Sequence, residues 1–84
     1  MVFYIYILEC SDKSYYVGST NNLEKRLKQH NLLKSGAHYT KIRRPVILKY
    51  FEKVETLSAA RKREAEIKRF TKAKKETLVD NSTA

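Results

Sequence analysis

Side chains that could act on a phosphate occur in three places along this chain of 84 residues. Tyr6 and Tyr16 lie ten residues apart in two β-rich segments, and each carries a phenol that can donate or accept a proton. Arg26 and His30 are four residues apart, so they are neighbours on one flank of a helix. A guanidinium binds charged oxygens as a fork, and an adjacent imidazole can act as a donor or an acid. His30 also follows Leu27 by three residues, which is equally typical of a histidine at the edge of a core.

The third place is Glu64, whose helix directs it toward the core. Leu57, Ala60, position 64 and Ile67 recur at heptad spacing, which predicts that this carboxylate lies within an apolar seam. A charge there is costly unless it is paired or coordinated. An ion pair with Lys68 one turn later would satisfy it, as would a small rotation of the helix toward water. The other candidate is a divalent metal ion, and a single carboxylate suits magnesium, which keeps most of its waters.

The elements that must position these side chains follow from the apolar pattern and the capping residues. Residues 3–9 have no polar alternate position, which predicts a central strand covered on both faces. Thr56 and Ser58 are both suitable caps for the helix that carries Glu64. The predicted elements are strands over 3–9, 15–19 and 46–51, with Pro45 opening the third, and helices over about 22–32, from the cap to about 71, and 73–79. The order β-β-α-β-α with a short last helix predicts a small α/β (α+β) sandwich around a three-stranded sheet, mixed or antiparallel, with one domain over 1–80 and a polar, disordered tail over 81–84.

Whether Tyr6 and Tyr16 share a face of the sheet depends on the hairpin loop between them. Residues opposite each other in an antiparallel ladder share a face, so the two tyrosines do so only if the loop has an odd number of residues. A two-residue turn places them on opposite faces, whereas a three-residue loop pairs Leu8 with Tyr16 and Gly18 with Tyr6. The second arrangement asks Lys13 to take the left-handed conformation that glycine normally adopts. Gly18 within a strand also indicates the close approach of a ligand or another backbone.

Composition narrows the class of protein. The net charge of +9 favours a polyanionic partner, and residues 61–75, with eight Lys/Arg and two Glu, carry two-thirds of it. A single cysteine argues against a disulfide scaffold or a zinc site, and the apolar run over 1–8 is too short to span a bilayer, which takes about 20 residues. We therefore expect a cytoplasmic protein without a membrane partner. The cations predicted to grip a phosphate backbone, without reading bases, are Lys41, Arg43, Arg44, Arg61, Lys68 and Lys72; for about half of the basic side chains a solvated helix face is the alternative.

The order of these residues resembles the GIY-YIG nuclease domain. The segments Tyr4–Tyr6 and Tyr16–Gly18 match the two motifs that name the family, although Tyr4 stands in place of glycine and Val17 in place of isoleucine. The resemblance continues through Thr20, Leu23, Arg26, His30, Tyr39, Thr40, the run 43–46, Glu64, Ile67 and Lys68. It covers about residues 2–79 and is strongest to small single-domain bacterial members, the UPF0213 group, which are related to the nuclease domain of a bacterial excision-repair enzyme.

That resemblance implies an antiparallel sheet and a phosphodiester hydrolysis with one metal ion, Mg²⁺ or Mn²⁺. The family roles fall on Tyr6 as general base or water-positioning group with Tyr16 as its partner, on Arg26 for the phosphate charge and on Glu64 for the metal; His30 matches a family histidine. Gly18, Tyr39 and Thr40 are supporting positions. The leading hypothesis is a monomeric, metal-dependent DNA endonuclease with little sequence specificity, acting on flapped or branched DNA among others. The alternative is a catalytically weak or inactive nucleic-acid-binding module of the same fold that acts with a repair protein.

Overall fold

The structure, a computed structural model, describes residues 2–32 and 42–82. The elements within these ranges are β1 (Phe3–Glu9), β2 (Tyr15–Thr20), α1 (Leu23–Leu32), β3 (Ile47–Val54), α2 (Leu57–Lys68) and α3 (Lys72–Ser82). Their order confirms the predicted β-β-α-β-α arrangement with a last helix. Three boundaries differ from the prediction by three residues: β3 ends at Val54 rather than Phe51, α2 ends at Lys68 rather than near Thr71, and α3 ends at Ser82 rather than Val79. The end of β2 and the start of β3 each lie one residue later than predicted. None of the helices in the described ranges is long and apolar enough to cross a membrane.

The sheet is antiparallel, and β1 is its central strand, in the order β2-β1-β3. The four residues from Ile5 to Leu8 are all buried, because helices cover both faces of this strand. The continuous apolar run of β1 therefore has the cause that the sequence predicted. A register shift in the ladder between β1 and β3 falls at Ile7 and Leu8.

The two faces of the sheet have different cores. On the face covered by α2 and α3, which we call the α2 face, the buried residues are Ile5, Ile7, Val17, Ala60, Ile67 and Val79. On the other, the α1 face, they are Tyr6, Leu8, Cys10 and Val46, packed against Leu23 and Leu27 of α1. Because successive strand residues point to opposite faces, Tyr6 lies on the α1 face, and Ile5 and Ile7 on either side of it lie on the α2 face.

Helix α2 begins at the first of the two predicted caps. The hydroxyl of Thr56 accepts a hydrogen bond from the backbone N–H of Ala59 at 3.0 Å, which satisfies one of the free donors of the first turn. Ala60 and Ile67 are completely buried, as the heptad spacing predicted. The prediction is wrong for Leu57, which is 44% exposed directly after the cap, so the seam comprises only the later turns of the helix.

An ion pair fixes α2 against β3. The Arg63 guanidinium binds Glu52 through two contacts of 2.8 Å, from Nε to Oε1 and from NH2 to Oε2, and it also binds Glu66. The Tyr50 hydroxyl donates to the same Glu52 carboxylate. A two-pronged contact of this kind restrains the rotation of the helix, and it thereby restrains the direction of Glu64, the next residue along α2.

Candidate active site

A three-residue loop between Cys10 and Ser14 closes the hairpin of β1 and β2. The Cys10 N–H donates to the Ser14 carbonyl at 2.8 Å, and the Lys13 N–H donates to the Cys10 carbonyl at 2.9 Å. Lys13 has a φ of 71°, so it takes the left-handed position at a cost of about 1 kcal/mol. Asp12 stabilises the loop, since its carboxylate accepts from the Ser14 N–H at 3.0 Å and from Arg43 Nε at 2.9 Å. The odd loop is the one that the shared tyrosine face requires.

The hairpin register places Tyr6 opposite Gly18 and Leu8 opposite Tyr16. The two tyrosine rings lie on the α1 face with their centroids 6.5 Å apart. A Cβ at Gly18 would meet the Tyr6 hydroxyl oxygen at 2.5 Å and its Cζ at 2.7 Å, closer than real Cβ contacts come. The ring of Tyr6 therefore crosses over β2 only because position 18 has no side chain. The close approach predicted for this glycine is made by Tyr6 itself.

His30 lies beneath both tyrosines and is completely buried. Its Nε2 is 2.9 Å from the Tyr6 hydroxyl oxygen, and its ring centroid is 5.0 Å from that of Tyr16. Burial, together with the positive charges of Arg26 and Arg44, lowers the pKa of His30 from 6.5 to about 4. The imidazole is therefore neutral at pH 7, with one ring nitrogen that donates and one that accepts. The alternative of a core histidine is also correct.

The phenol of Tyr6 is protonated at neutral pH. Burial raises its pKa to about 12, with smaller contributions in the same direction from the neighbouring Tyr16 and from the Glu64 carboxylate. A hydrogen bond from the Arg26 guanidinium and its charge act in the opposite direction but are outweighed. The nearby positive charge thus eases the ionisation of Tyr6, but less than burial opposes it. With Tyr6 protonated and His30 neutral, the phenol donates to Nε2 in the tautomer that carries its ring proton on Nδ1.

Arg26 lies on α1, half-buried beside Tyr6. Its NH1 donates to Gln29 Oε1 at 2.8 Å, one turn later on the same helix. This contact holds one prong of the guanidinium along α1 while the group remains near the phenol. The α1 face of the sheet thus brings together Tyr6, Tyr16, Arg26 and His30.

Glu64 approaches from the α2 face and reaches the edge strand β2. Its Oε1 accepts from Ser19 Oγ at 2.6 Å, and its Oε2 lies 2.7 Å from Lys68 Nζ, which is the ion pair that the spacing allowed. Burial alone would raise the pKa of Glu64, but the hydrogen bonds from Lys68 and Ser19, with the charges of Lys68 and Arg61, lower it below its usual value. Its influence on the pKa of Tyr6 shows that the two groups interact electrostatically across β2. The sequence analysis did not identify Ser19 as a partner of Glu64, and only the strand register could have indicated it.

The residues along β2 fit a metal ion held by one carboxylate. No group of three or more His, Cys, Asp or Glu side chains in residues 2–32 and 42–82 is arranged to hold a metal, so these residues form no closed protein cage. Glu64 is ionised at neutral pH and 21% exposed, and both properties are needed in a ligand to Mg²⁺ that otherwise keeps water and substrate oxygens. Lys68, whose side chain is 54% exposed, has room to leave the second oxygen.

Two contacts that the sequence did not reveal fix the C-terminal end of α1. Asn31 binds the backbone of Val46 twice, donating from Nδ2 to the carbonyl at 3.1 Å and accepting at Oδ1 from the N–H at 2.7 Å. Arg44 donates to the carbonyls of Gln29, at 3.0 Å, and His30. Since His30 is the last turn's buried residue, these contacts hold the imidazole under Tyr6.

The cations predicted to grip phosphate fall into two groups. Arg43 and Arg44 serve the fold, the first in an ion pair with Asp12 and the second on the α1 carbonyls. Arg61 and Lys72 are exposed on α2 and α3, with Lys72 Nζ 5.7 Å from the centroid of the Tyr15 ring. Lys68 lies on the same helix as Arg61 and pairs with Glu64. Tyr39, Thr40 and Lys41 lie outside the described residues.

Comparison with known proteins gives one consistent family. The model of the GIY-YIG catalytic domain matches residues 2–77. A UPF0213 protein of Syntrophus aciditrophicus is 57% identical over 76 residues, which cover 90% of this chain and 87% of that protein. The solution NMR structure of a UPF0213 protein from Bacillus halodurans has a TM-score of 0.61 at 39% identity, covering 95% of this chain and 84% of the other. A second NMR structure, of a protein from E. faecalis, has a TM-score of 0.65 at 40% identity, covering 96% and 85%.

Proposed function

The chain belongs to the GIY-YIG catalytic domain family, a family of nuclease domains, and from that premise we propose that it is a divalent-metal-dependent endonuclease acting on DNA. Its substrates include flapped or branched DNA, which it cleaves with little sequence specificity. The observation that carries this proposal is the 2.9 Å contact between the Tyr6 hydroxyl and His30 Nε2. A buried phenol that donates to a neutral imidazole has a place to send its own proton when it takes one from a water molecule.

The proton path can be written atom by atom. As a water oxygen forms its bond to phosphorus, one water proton passes to the Tyr6 oxygen and the phenol proton passes to His30 Nε2. The bond between phosphorus and the leaving oxygen breaks, and that oxygen takes a proton from solvent. With pKa values of about 12 and 4, both groups start neutral at pH 7, so the imidazolium forms only during the reaction. The negative charge of a bound phosphate favours that imidazolium.

Arg26 and Glu64 supply the electrostatic part of the reaction. Arg26, beside the phenol, stabilises the charge that gathers on the phosphate oxygens in the transition state. Glu64 is the residue that would hold Mg²⁺ or Mn²⁺, and a bound divalent ion supplies charge stabilisation for the phosphate and the leaving oxygen. Tyr16 packs against His30 and keeps water away from the hydrogen bond between the imidazole and Tyr6.

DNA binding depends on the second and third helices. Arg61 and Lys72 are exposed there, whereas Arg43 and Arg44 make contacts within the fold. We expect the binding constant for duplex DNA to fall steeply with salt, with a slope of about −0.9 for each phosphate neutralised, and to vary little with sequence. A salt dependence with a slope near zero would contradict binding through phosphate contacts.

The test is cleavage of supercoiled plasmid and of a branched DNA, with Mg²⁺ or Mn²⁺ and with chelator. Tyr6→Phe removes the proton path, and we expect it to reduce the rate roughly 10²- to 10⁴-fold without unfolding the protein, since the ring remains. Glu64→Gln should abolish the dependence on metal together with the activity. Glu66→Gln, an exposed carboxylate two residues later on the same helix, is the matched control and should cleave like the unmodified protein. Cleavage that survives Glu64→Gln or chelation would come from another enzyme and would contradict the mechanism.

The alternative function, a nucleic-acid-binding module with weak or absent cleavage, has an observation in its favour. Both oxygens of Glu64 are engaged, by Ser19 and Lys68, and Tyr6 is only 2% exposed. Such a site is closed until a ligand displaces Lys68. DNA binding without cleavage by the purified protein at any concentration of Mg²⁺ or Mn²⁺ would support this alternative over the endonuclease.

A further inference from the structure

Helix α1 leaves part of the α1 face uncovered. Across the three strands, this face has a row formed by Tyr16, Leu8 and Leu48, which packs against α1. The next row is formed by Gly18, Tyr6 and Phe51, and the one beyond it by Thr20, Tyr4 and Lys53. In the last two rows exposure rises sharply toward β3, because Phe51 is 52% exposed while Tyr6, its direct partner on β1, is 2% exposed.

Two aromatic rings stand on this uncovered area. Phe51 and Tyr4 are diagonal neighbours on β3 and β1, and their ring centroids are 5.9 Å apart at an interplanar angle of 68°. Directly opposite residues in an antiparallel pair have Cα atoms about 4.5–5.5 Å apart, so Phe51 stands immediately beside Tyr6. An aromatic surface therefore adjoins the phenol to which we assign the chemistry.

The charge of this area suits one kind of occupant. Lys53 is exposed next to Tyr4, and Arg26 interacts with the phenol of Tyr6. The six positions of the two rows include a cation and no carboxylate, since Glu52 points to the α2 face and binds Arg63. Exposed aromatic rings beside cations are what a nucleic acid strand uses, with bases stacked on rings and phosphates near the charges.

We infer that Phe51 and Tyr4 form a stacking platform for an unpaired base of single-stranded DNA next to the phosphate held at Arg26. The occupant has to be unpaired because the faces of a base in a duplex are already stacked on its neighbours. The inference rests on the proposed function and narrows it: the preferred substrate has a single-stranded segment at the scissile phosphate, as a flap or a branch has.

Binding measurements in chelator test the platform without cleavage. By fluorescence anisotropy, we expect Phe51→Ala and Phe51→Leu to weaken the binding of a labelled oligothymidine about 10-fold, because leucine keeps the apolar volume and lacks the aromatic face. Ile47→Ala, an exposed apolar residue at the other end of β3, should bind normally. An abasic strand of the same length has the phosphates without the bases, and it should bind equally to the unmodified protein and to Phe51→Ala. Lys53→Ala should instead reduce the salt slope by about 0.7, which Phe51→Ala leaves unchanged.

A spectroscopic measurement reports the stacking directly. The chain has no tryptophan, so Phe51→Trp introduces a single emitter on the platform. Its emission should be quenched by oligothymidine and much less by the abasic strand, whereas Ile47→Trp should respond to neither.

Three results would overturn the platform. One is normal oligothymidine binding by Phe51→Ala, and another is equal quenching of Phe51→Trp by both strands. The third is a change in self-association of Phe51→Ala with unchanged DNA affinity, which would make this area a protein contact. These measurements are made in chelator without metal, so they do not depend on cleavage. A protein that cuts no DNA can still give the results expected of the platform, and a protein that cuts DNA can still fail to give them. The two proposals are therefore separable.

Discussion

The two faces of the sheet differ in the residues that form them and in how completely they are covered. The α2 face is aliphatic and closed, with Ile5, Ile7 and Ile67 completely buried. The α1 face is built from tyrosines, a buried histidine and an arginine, and its last two rows are left partly open. A closed aliphatic core gives stability that does not depend on pH or on particular hydrogen bonds. The α1 face gives up some of that burial, and in the proposed function its polar groups meet the substrate.

One residue connects the two faces. Glu64 belongs to the helix of the aliphatic face, yet its carboxylate reaches β2 and influences the pKa of Tyr6. The rigid side of the molecule thus holds one charged group of the site in place, with Arg63 and Glu52 fixing the same helix one residue away. Helix α2 therefore has a stabilising surface and a functional surface on adjacent flanks.

The largest expected effect concerns the core of the α2 face. Ile67→Ala should lower the free energy of unfolding by about 2–5 kcal/mol, because it leaves a cavity among completely buried residues. The matched control is Leu57→Ala, which the heptad pattern assigns to the same seam but which is 44% exposed. It should cost less than about 1 kcal/mol. Urea denaturation followed by circular dichroism measures both, and equal losses would remove the distinction between the early and late turns of α2.

An intermediate loss of stability is expected at the position of the α1 face that has no room for a side chain. Gly18→Ala should lower stability by about 2 kcal/mol and displace the Tyr6 ring, since the new Cβ would meet the hydroxyl oxygen at 2.5 Å. In a Tyr6→Leu background, which has no ring above position 18, the same substitution should cost much less. The coupling energy of this double-mutant cycle measures the contact. Additive effects would mean that Gly18 is needed for another reason.

The smallest expected effect is a pH dependence of the free energy of unfolding, which arises on the α1 face. Protonation of His30 is disfavoured only in the folded state, where its pKa is about 4 rather than 6.5, so the unfolded chain binds the proton first as pH falls. Stability from this group is complete above pH 6.5 and is lost toward pH 4. We expect a loss of about 1.5 kcal/mol between pH 6.5 and 5, above the range in which the carboxylates titrate.

His30→Gln is the control for that pH dependence. It should be less stable at pH 7 and should show a flat profile between pH 6.5 and 5, because glutamine does not titrate. A slope that persists in this variant would have to come from a group other than His30.

Much of the fold could be predicted from local patterns. The unbroken apolar run of β1, the cap at Thr56 and the proline before β3 each identify an element by its own residues. The helix bounds were less predictable, because Leu57 has the spacing of a core residue and a place at the exposed start of α2. The position of a residue in the heptad pattern does not tell whether the neighbouring sheet extends far enough to cover it.

The residues of the candidate site could be predicted better than their hydrogen bonds and pKa values. Tyr6, Tyr16, Arg26 and His30 were identified by type and spacing, and the odd hairpin loop that unites the tyrosines was one of two open alternatives. The sequence did not predict that Tyr6 and His30 share a hydrogen bond, or that burial would raise one pKa and lower the other. Desolvation depends on every neighbour in space, and most of those neighbours are remote in the chain.

By itself, the sequence determined the order of elements, the basic charge of residues 61–75 and the family to which the chain belongs. These are properties of residue type and spacing, which survive without coordinates. Only the tertiary structure decided that Glu64 comes to β2 from the opposite face of the sheet, and that Phe51 stands exposed beside a buried Tyr6. Both depend on strand register, where a shift of one residue moves every side chain to the other face.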